Sequence, residues 1–360
     1  MRKYPLDKYL VSEELSLRDA LQRIEETERR TIFVVDAERC LRGVVTDGDI
    51  RRWLLAGGDF SVSVTEVLTR HPYHVHAGFA HEAVRERMLE LGATCVPLLD
   101  AAGRVVEIVF WEDIFREFEP KPDRRPITAP VVIMAGGRGA RMAPFTQVLP
   151  KPLLPVGEKT VIEIIIDGFL EHGVREIILT TNYKAALLKA FFHELPRPYA
   201  VHFVEEPRPL GTAGSLGLIR DRLTAPFIVT NCDIVIKLDA YDLLAQHEQQ
   251  GNLITMVVSL KNYNVPYGVC EIEKGGRLRA IREKPEFNFL VNTGMYALSP
   301  AVLDLVPAER VFDMTELIAA VEAGGGRVGV YPIGEGAWLD TGEWTEYRRT
   351  LQHFENLLRK

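Results

Sequence analysis

An apolar run that breaks into glycines constrains the fold of this 360-residue chain more than any other feature. Residues Val131–Ala135 are apolar, the loop Gly136–Gly139 contains three glycines, and Arg141 and Lys151 follow. Such a run predicts a buried strand that ends in a loop able to wrap a nucleoside triphosphate. The loop is not a Walker loop, which needs Lys-Ser/Thr after its last glycine. It is not a dinucleotide fingerprint either, because Met142 stands where a further glycine is required.

Composition and charge limit the class of protein. With 47% hydrophobic residues, the chain is long enough for a substantial core and for two domains. A net charge of −7 without a long basic run gives nucleic-acid binding no electrostatic basis. The longest apolar stretch, Val161–Leu170, contains two acidic residues and is too short to span a bilayer. No signal peptide opens the sequence and the four cysteines are scattered, so we expect a cytoplasmic protein without a membrane segment.

A segment with four prolines among charged residues predicts a stiff linker. It divides the chain into three expected parts: residues 1–118, the linker 119–130 and residues 131–360.

Residues 1–118 contain an internal repeat. Asp36 and Asp49 recur 64 residues later as Asp100 and Asp113. Each copy, at about residues 8–58 and 64–118, has the pattern helix, strand, turn, strand, helix, which predicts a small α+β module. The pattern resembles a tandem pair of cystathionine-β-synthase (CBS) modules, a family that commonly binds adenine nucleotides between its repeats.

The first repeat keeps the ribose-binding pattern of that family, Gly-x-x-Thr/Ser-x-x-Asp. Gly43, Thr46 and Asp49 supply it, and a hydroxyl with a carboxylate suits ribose hydroxyls. The second repeat has Glu107 and Phe110 at the first two of these positions. The resemblance therefore implies an adenine-nucleotide effector at Thr46 and Asp49. A purely structural role in packing or dimerisation is the alternative.

Beyond the linker, apolar strands alternate with helical stretches. This alternation predicts an α/β fold with a mostly parallel sheet covered by helices on both faces. Thr160 and Glu163 predict a capping box that opens a helix. The predicted strands are Val131–Met134, Glu176–Thr180, Ala200–Val204, Phe227–Thr230 and Leu253–Leu260. Ligands of such sheets bind beyond the carboxyl ends of the strands, where the glycine loop falls.

The glycine loop, together with Pro150–Pro155, resembles the signature of sugar-1-phosphate nucleotidyltransferases, and the resemblance extends from Val131 to about Asp340. It implies a GT-A or Rossmann-like domain. Arg141 would stabilise the departing pyrophosphate and Lys151 would contact phosphate, the two catalytic residues. Backbone groups that would hold the nucleotide belong to Ala135, Gly136, Gly137 and Gly139.

Two aspartates are candidate metal ligands. Asp233 follows the apolar run Phe227–Thr230, and Asp340 follows Trp338 and Leu339. Two carboxylates and a triphosphate offer the oxygen ligands that Mg²⁺ prefers. The chemistry brings two phosphate groups together, so cations and carboxylates must converge.

Three short motifs resemble the sugar-binding side of the family. The glutamate of Glu-Lys-Pro would accept hydrogen bonds from sugar hydroxyls, and its lysine would bind the sugar phosphate. The implied sugar-phosphate residues are Tyr267, Gly268, Glu283, Lys284, Asn292, Thr293 and Gly294.

The segment Val204–Gly214 matches the base-recognition loop of the family, with Gly211 and Thr212 among its nucleotide-binding residues. Glu206 stands where thymidylyl- and uridylyl-transferring relatives place Gln. An ionised carboxylate offers only acceptors, which suit the N1–H and N2–H₂ of guanine. This pattern predicts a preference for GTP. A solvated charge at the strand end is the alternative.

The combined motifs predict a Mg²⁺-dependent enzyme that uses a nucleoside triphosphate and a sugar 1-phosphate. The arrangement resembles the CBS-fused guanylyltransferases that make GDP-amino-sugars in legionaminic-acid-type pathways. We expect a homo-oligomer. Uridylyl or thymidylyl transfer on the same scaffold and a catalytically idle nucleotide sensor are the alternatives.

Overall fold

The computed structural model describes residues 5–27, 29, 31–114, 126–194, 197–308, 310–348 and 350–351. The chain forms two compact units. Unit 1 comprises Met1–Glu119 and Leu260–Leu290, and unit 2 comprises Pro120–Ser259 and Val291–Lys360. Residues 119–125 of the predicted linker lie outside the described part of the chain. Residues 260–290, which the sequence places with the C-terminal part, group with unit 1.

The N-terminal part of unit 1 is built from two similar halves. Its elements are β1 (Leu10–Ser12), α1 (Leu17–Thr27), β2 (Thr31–Val35), β3 (Leu41–Thr46), α2 (Asp47–Leu55), β4 (Thr69–Arg70), β5 (Val75–His76), α3 (His81–Leu91), β6 (Cys95–Leu99), β7 (Val105–Phe110) and α4 (Trp111–Ile114). The bounds of α1, β2 and β3 recur in α3, β6 and β7 with the same offset of 64 residues. The sequence repeat is therefore also a structural repeat.

The two halves meet at a nearly symmetric backbone junction. Cys40 and Arg104 form an isolated β-bridge. The Leu41 N–H donates to the Gly103 carbonyl at 3.1 Å, and the Val105 N–H donates to the Arg39 carbonyl at 2.9 Å. Each residue of the first bond has its counterpart 64 positions away in the second, which is the pattern of a local two-fold axis.

The rest of the chain contributes the larger sheet and a separate hairpin. Its elements are β8 (Val131–Ala135), α5 (Phe145–Val148), β9 (Pro155–Val156), β10 (Lys159–Thr160), α6 (Val161–Leu170), β11 (Glu176–Thr181), α7 (Ala185–His193), β12 (Ala200–Glu205), α8 (Gly211–Gly214), β13 (Phe227–Asn231), β14 (Ile234–Ile236), α9 (Ala240–Gln249), β15 (Ile254–Asn264), β16 (Val269–Ile272), β17 (Leu278–Arg282), β18 (Glu286–Leu298), α10 (Met314–Ala323), β19 (Val328–Ile333) and β20 (Trp338–Asp340).

Seven strands form the central sheet, in the order β12-β11-β8-β13-β18-β15-β19. Strands β12, β11, β8 and β13 run parallel to one another, whereas β18 runs antiparallel to β13. The five predicted strands are confirmed, with ends that differ by one to four residues. The mostly parallel α/β architecture is likewise as predicted.

Both faces of the sheet are buried under helices. Val131 and Ile133 of β8 pack in one core with α6, α7 and α9. Val132, on the opposite face, packs in a second core with α10. The predicted capping box of α6 is present, because the Thr160 hydroxyl accepts the Glu163 N–H and the Glu163 carboxylate accepts the Thr160 N–H. No helix among the described residues has the length and hydropathy needed to cross a membrane.

The carboxyl ends of four parallel strands lie side by side. Thr181 pairs with Ala135 on one side and with Glu205 on the other, and Asn231 pairs with Met134. The glycine loop, Glu206 and Asp233 therefore all leave the sheet at the same edge.

Candidate active site

The glycine loop folds back against Lys151. Gly139 has φ 63°. A Cβ atom at this position would lie 2.9 Å from the Thr146 methyl group and 3.1 Å from the Lys151 Cβ. The Thr146 hydroxyl donates to the Gly139 carbonyl at 2.9 Å. Glycine is thus required here both for the left-handed backbone and for the close approach of Lys151.

Gly136 makes room for a buried carboxylate. A Cβ atom at Gly136 would overlap Oε1 of Glu206, a residue that is 5% exposed. The Oε2 atom accepts the Leu210 N–H at 3.0 Å. Burial raises the pKa of Glu206, and the hydrogen bond from Leu210 partly opposes this effect. Glu206 is therefore not a solvated strand-end charge, which was the alternative left open by the sequence.

Gly211 and Thr212 bind another part of the protein. Gly211 has φ 81°, and a Cβ there would lie 2.7 Å from the Phe312 carbonyl oxygen. The N–H and the hydroxyl of Thr212 lie 2.9 and 3.2 Å from Oδ1 of Asp313, and the same hydroxyl accepts the Met314 N–H at 2.9 Å. The loop thereby anchors the start of α10. Its predicted contact with the nucleotide stays a prediction.

A short antiparallel ladder brings the two candidate metal ligands together. Strand β14, which follows Asp233, pairs with β20, which ends in Asp340, and Ile234 lies opposite Asp340. Both the N–H and the hydroxyl of Thr341 donate to the Asp233 carbonyl, at 2.8 and 2.7 Å. Residues separated by more than a hundred positions are therefore held at one point by main-chain geometry.

Gly342 lies between the two carboxylates and the lysine. A Cβ on Gly342 would be 2.7 Å from Asp340 Oδ1, 3.3 Å from Asp233 Oδ2 and 3.4 Å from Lys151 Nζ. The Gly342 N–H donates to Asp340 Oδ1 at 2.5 Å. Lys151 forms an ion pair with Asp233 Oδ2, and its side chain is only 8% exposed. Three charged groups converge at this glycine.

The electrostatics of this cluster fit a divalent cation. Burial raises the pKa of Asp340, and the neighbouring Asp233 raises it further, against the hydrogen bond from Gly342. Two crowded carboxylates with one lysine leave a net negative charge that a cation would neutralise. Carboxylate oxygens are also the donors that Mg²⁺ prefers. Among the described residues no group of three or more His, Cys, Asp or Glu side chains is placed to bind a metal, so phosphate or water oxygens would complete the coordination.

Arg141 lies at the exposed rim of the site. Its guanidinium donates to Glu343 at 3.0 Å, and both side chains are more than half exposed. Trp344 donates its indole N–H to the Ala143 carbonyl at 3.2 Å and packs against Phe145, with ring centroids 4.9 Å apart. The residues after Asp340 therefore hold the segment that follows the glycine loop in place.

A cleft of about 290 Å³ opens above the paired aspartates. Its lining residues are Arg141, Asn231, Asp233, Ile234, Asn292, Thr293, Gly294, Tyr296, Trp338 and Asp340. Six of the residues predicted from the sequence are thus brought together. Sequence reasoning missed Asn231 and Tyr296. The one available signal for Asn231 was a polar residue at the end of an apolar strand.

Comparisons with known proteins identify the family. Residues 130–356, more than half of the chain, match the model described as nucleotidyl transferase. The chain belongs to this nucleotidyl transferase family. Residues 1–56 match the CBS domain model.

The relatives of this nucleotidyl transferase include two named guanylyltransferases. The probable mannose-1-phosphate guanylyltransferase 1 of Oryza sativa subsp. japonica is 30% identical over 238 residues, which are 64% of this chain and 65% of that protein. The mannose-1-phosphate guanylyltransferase catalytic subunit beta of Danio rerio is 33% identical over 220 residues, 59% of this chain and 61% of the relative. The chain thus spans less than two thirds of the length of these relatives.

A solved structure shares the fold. The structure of HddC from Yersinia pseudotuberculosis aligns with a TM-score of 0.51 and 24% identity, over 63% of this chain and 100% of the other. At this identity the likeness concerns the fold of the nucleotidyl transferase part.

Four residues predicted for the sugar side of the nucleotidyl transferase lie in unit 1. Tyr267 and Gly268 precede β16, and Glu283 and Lys284 follow β17. A Cβ on Gly268 would lie 3.0 Å from the Glu283 carboxylate, so these two positions are neighbours. Lys284 has a left-handed backbone (φ 44°), which is strained for a lysine. Tyr267 is 74% exposed.

Thr46 and Asp49 have a structural role in the CBS part. The Thr46 hydroxyl accepts the Asp49 N–H, and the Asp49 carboxylate accepts the Thr46 N–H at 2.8 Å, which makes a capping box at the start of α2. The other carboxylate oxygen of Asp49 pairs with Arg52. Contact with an adenine nucleotide stays a prediction.

Proposed function

We propose that this protein is a Mg²⁺-dependent sugar-1-phosphate guanylyltransferase, which transfers GMP from GTP to a sugar 1-phosphate and releases pyrophosphate. The observation that carries the proposal is the convergence of Asp233, Asp340 and Lys151 around Gly342, beside a cleft that Arg141 lines. Two named guanylyltransferases among the relatives support the choice of GTP. None of the four cysteines forms a disulfide, which suits a cytoplasmic enzyme.

The reaction is a direct displacement at the α-phosphorus. A phosphate oxygen of the sugar 1-phosphate attacks, the bond from the α-phosphorus to the bridging oxygen breaks, and pyrophosphate leaves with that electron pair. Arg141 leaves Glu343 to bind the phosphates that depart, and Lys151 binds a phosphate oxygen from the buried side. The glycine loop allows the nucleotide to approach the main chain closely.

Asp233 and Asp340 would hold the magnesium ion. A bound divalent cation supplies charge neutralisation between the two phosphate groups. Thr341 keeps Asp233 in position through its two hydrogen bonds to the Asp233 carbonyl. We expect activity to be lost on chelation and restored by added Mg²⁺.

Glu206 would select guanine. The Leu210 N–H and the Thr180 hydroxyl already bond to this carboxylate, so N1–H or N2–H₂ of guanine would use its remaining acceptor capacity beside Gly136. Uracil and thymine present an acceptor at O4, and a buried acceptor that faces another acceptor costs about 1–3 kcal/mol. Glu206→Gln supplies a donor and should move the preference toward UTP or dTTP.

The decisive experiment is a panel of GTP, UTP, dTTP, CTP and ATP with several sugar 1-phosphates, with pyrophosphate release as the readout. Turnover that is fastest with GTP and depends on Mg²⁺ supports the proposal. Equal turnover with UTP or dTTP would leave nucleotidyl transfer standing but contradict the guanine assignment. No pyrophosphate release from any pair would favour a nucleotide sensor.

For the CBS part we propose an adenine-nucleotide effector at Thr46 and Asp49 in a homo-oligomeric enzyme. Calorimetry with AMP, ADP and ATP would measure binding outside the catalytic site, and sedimentation velocity would measure the oligomer. Asp49→Ala also removes the reciprocal bond of the capping box, from the Thr46 N–H to the Asp49 carboxylate, which costs up to about 1 kcal/mol. The matched control is Asp19→Ala, because Asp19 makes the corresponding contacts with Ser16 at α1. Loss of binding in Asp49→Ala alone supports the site, and equal binding in both variants contradicts it.

A further inference from the structure

The wall of the cleft has two chemically different parts. Asp233 and Asp340 make one part acidic, whereas the other part consists of the neutral polar side chains of Asn231, Asn292 and Tyr296. Because phosphate groups and their cation belong with the acidic part, the neutral part is left for the sugar ring.

Most polar groups of the neutral part are already bonded within the protein. The Asn292 amide donates to the Tyr296 hydroxyl at 2.6 Å, and its oxygen accepts the Gly294 N–H at 3.0 Å. The Thr293 hydroxyl donates to the Val257 carbonyl at 2.8 Å. These groups fix the shape of the wall.

Asn231 differs from these neighbours. Its amide packs over Gly294, where a Cβ atom would lie 2.5 Å from Nδ2, and the residue is only half-buried. Gly294, with φ 90°, thus makes the space that the amide occupies. No hydrogen bond joins this amide to another of the residues that the structure describes. The amide therefore offers two donors and one acceptor to a molecule in the cleft.

We propose that Asn231 determines acceptor specificity by hydrogen bonding to one ring substituent of the sugar 1-phosphate, a hydroxyl or amino group. The inference rests on the proposed function. A sugar that lacks this substituent would exclude water from the amide without replacing its hydrogen bonds, and this makes the deoxy sugar a poor substrate. A carboxylate substituent is also disfavoured, because Arg141 is the one cationic side chain among the ten described lining residues, beside two aspartates.

The test uses the full-length enzyme with Mg²⁺ and GTP. The acceptors are the sugar 1-phosphate that gives the fastest pyrophosphate release in the panel above, its deoxy analogues (a deamino analogue where it is an amino sugar) and the corresponding uronic acid 1-phosphate. In the wild-type enzyme, we expect one deoxy analogue and the uronic acid to have a kcat/KM about 10- to 100-fold lower than the parent sugar. In Asn231→Leu, the parent should fall to the level of that deoxy analogue, while the KM for GTP stays unchanged. Asn231→Ala gives the same comparison without added bulk if the leucine variant does not fold.

Three outcomes would overturn the inference. The first is a wild-type enzyme that accepts every deoxy analogue as well as the parent sugar. The second is a pair of Asn231 variants that keep the full wild-type discrimination. The third is a complete lack of pyrophosphate release by the wild-type enzyme with all acceptors and triphosphates. This last result would contradict the proposed function as well. The first two outcomes contradict the inference alone, so the two kinds of failure can be told apart.

Discussion

Lys151 and Asp233 form an ion pair in which the lysine side chain is 8% exposed and the aspartate side chain 18% exposed. In such a pair each charge is stabilised mainly by the other, because little water reaches them. Removing one partner leaves the other buried without compensation, whereas removing both does not.

Asp233→Asn should lower kcat/KM by about two orders of magnitude or more, because it removes a proposed ligand of the magnesium ion that neutralises the reacting phosphates. It should also destabilise the protein by about 2–3 kcal/mol, since Lys151 stays buried. The double variant Asp233→Asn with Lys151→Met should recover part of that stability but no activity. Thermal unfolding and pyrophosphate release measure the two effects, and a double variant less stable than Asp233→Asn would contradict the argument.

Asp340→Asn should lower the activity and raise the thermal stability of the protein. Burial raises the pKa of Asp340, so the folded protein binds this proton more readily than the unfolded chain. Protonated Asp340 therefore stabilises the folded protein at low pH, and this contribution is lost as the pH rises through the raised pKa. Asparagine keeps the oxygen that accepts the Gly342 N–H, and we expect a higher Tm than wild type at pH 7, a smaller difference near pH 4, and activity reduced about 100-fold. An unchanged Tm difference across this range would contradict the assignment.

Gly342→Ala should reduce activity at least 10-fold and weaken Mg²⁺ binding, because its Cβ would push against Asp340 Oδ1 at 2.7 Å. Gly168→Ala in α6 is the matched control, since a Cβ there meets nothing within 4 Å. The control should be as active as wild type and up to about 1 kcal/mol more stable. Calorimetric titration with Mg²⁺ and GTP checks the expectation, and equal Mg²⁺ affinity in the two variants would refute it.

His247 should make stability depend on pH. Its two ring nitrogens lie 2.9 Å from the Thr255 and Ser299 hydroxyls, and burial lowers its pKa to about 4. As the pH falls, the unfolded chain therefore protonates His247 before the folded protein does. The stabilisation that the neutral ring gives the folded protein is complete above about pH 6.5 and is lost as the pH falls toward 4. The free energy of unfolding should fall by about 2–3 kcal/mol over this pH range. Denaturation of wild type and His247→Gln at pH 7, 5.5 and 4.5 should show a shallower pH dependence for the variant, and parallel curves would exclude His247 as the cause.

The sheet and the repeat could be predicted because their signals are local or periodic. Each of the five predicted strands is an apolar run, and the capping box of Thr160 and Glu163 lies within four residues. The offset between Asp36 and Asp100 has a direct structural meaning, since each carboxylate accepts backbone N–H groups two and four residues later.

The remaining parts of the site depend on contacts between distant segments. Asp233 and Asp340 were predicted individually, but only the tertiary structure shows that Thr341 and Gly342 hold them together. The fit between Gly136 and Glu206 joins positions seventy residues apart, and no local pattern indicates it. The assignment of residues 260–290 to unit 1 is similarly absent from the sequence pattern.

The junction between Cys40 and Arg104 has an evolutionary consequence. It is made by main-chain groups of residues 39–41 and 103–105, which do not depend on side-chain identity. After a tandem gene duplication, the side chains of either copy could drift without weakening this joint. The replacement of Gly43 and Thr46 by Glu107 and Phe110 in the second copy is the kind of change that such a joint permits. Each half of the module can therefore carry its own side chains, and its own binding properties, on a shared main-chain joint.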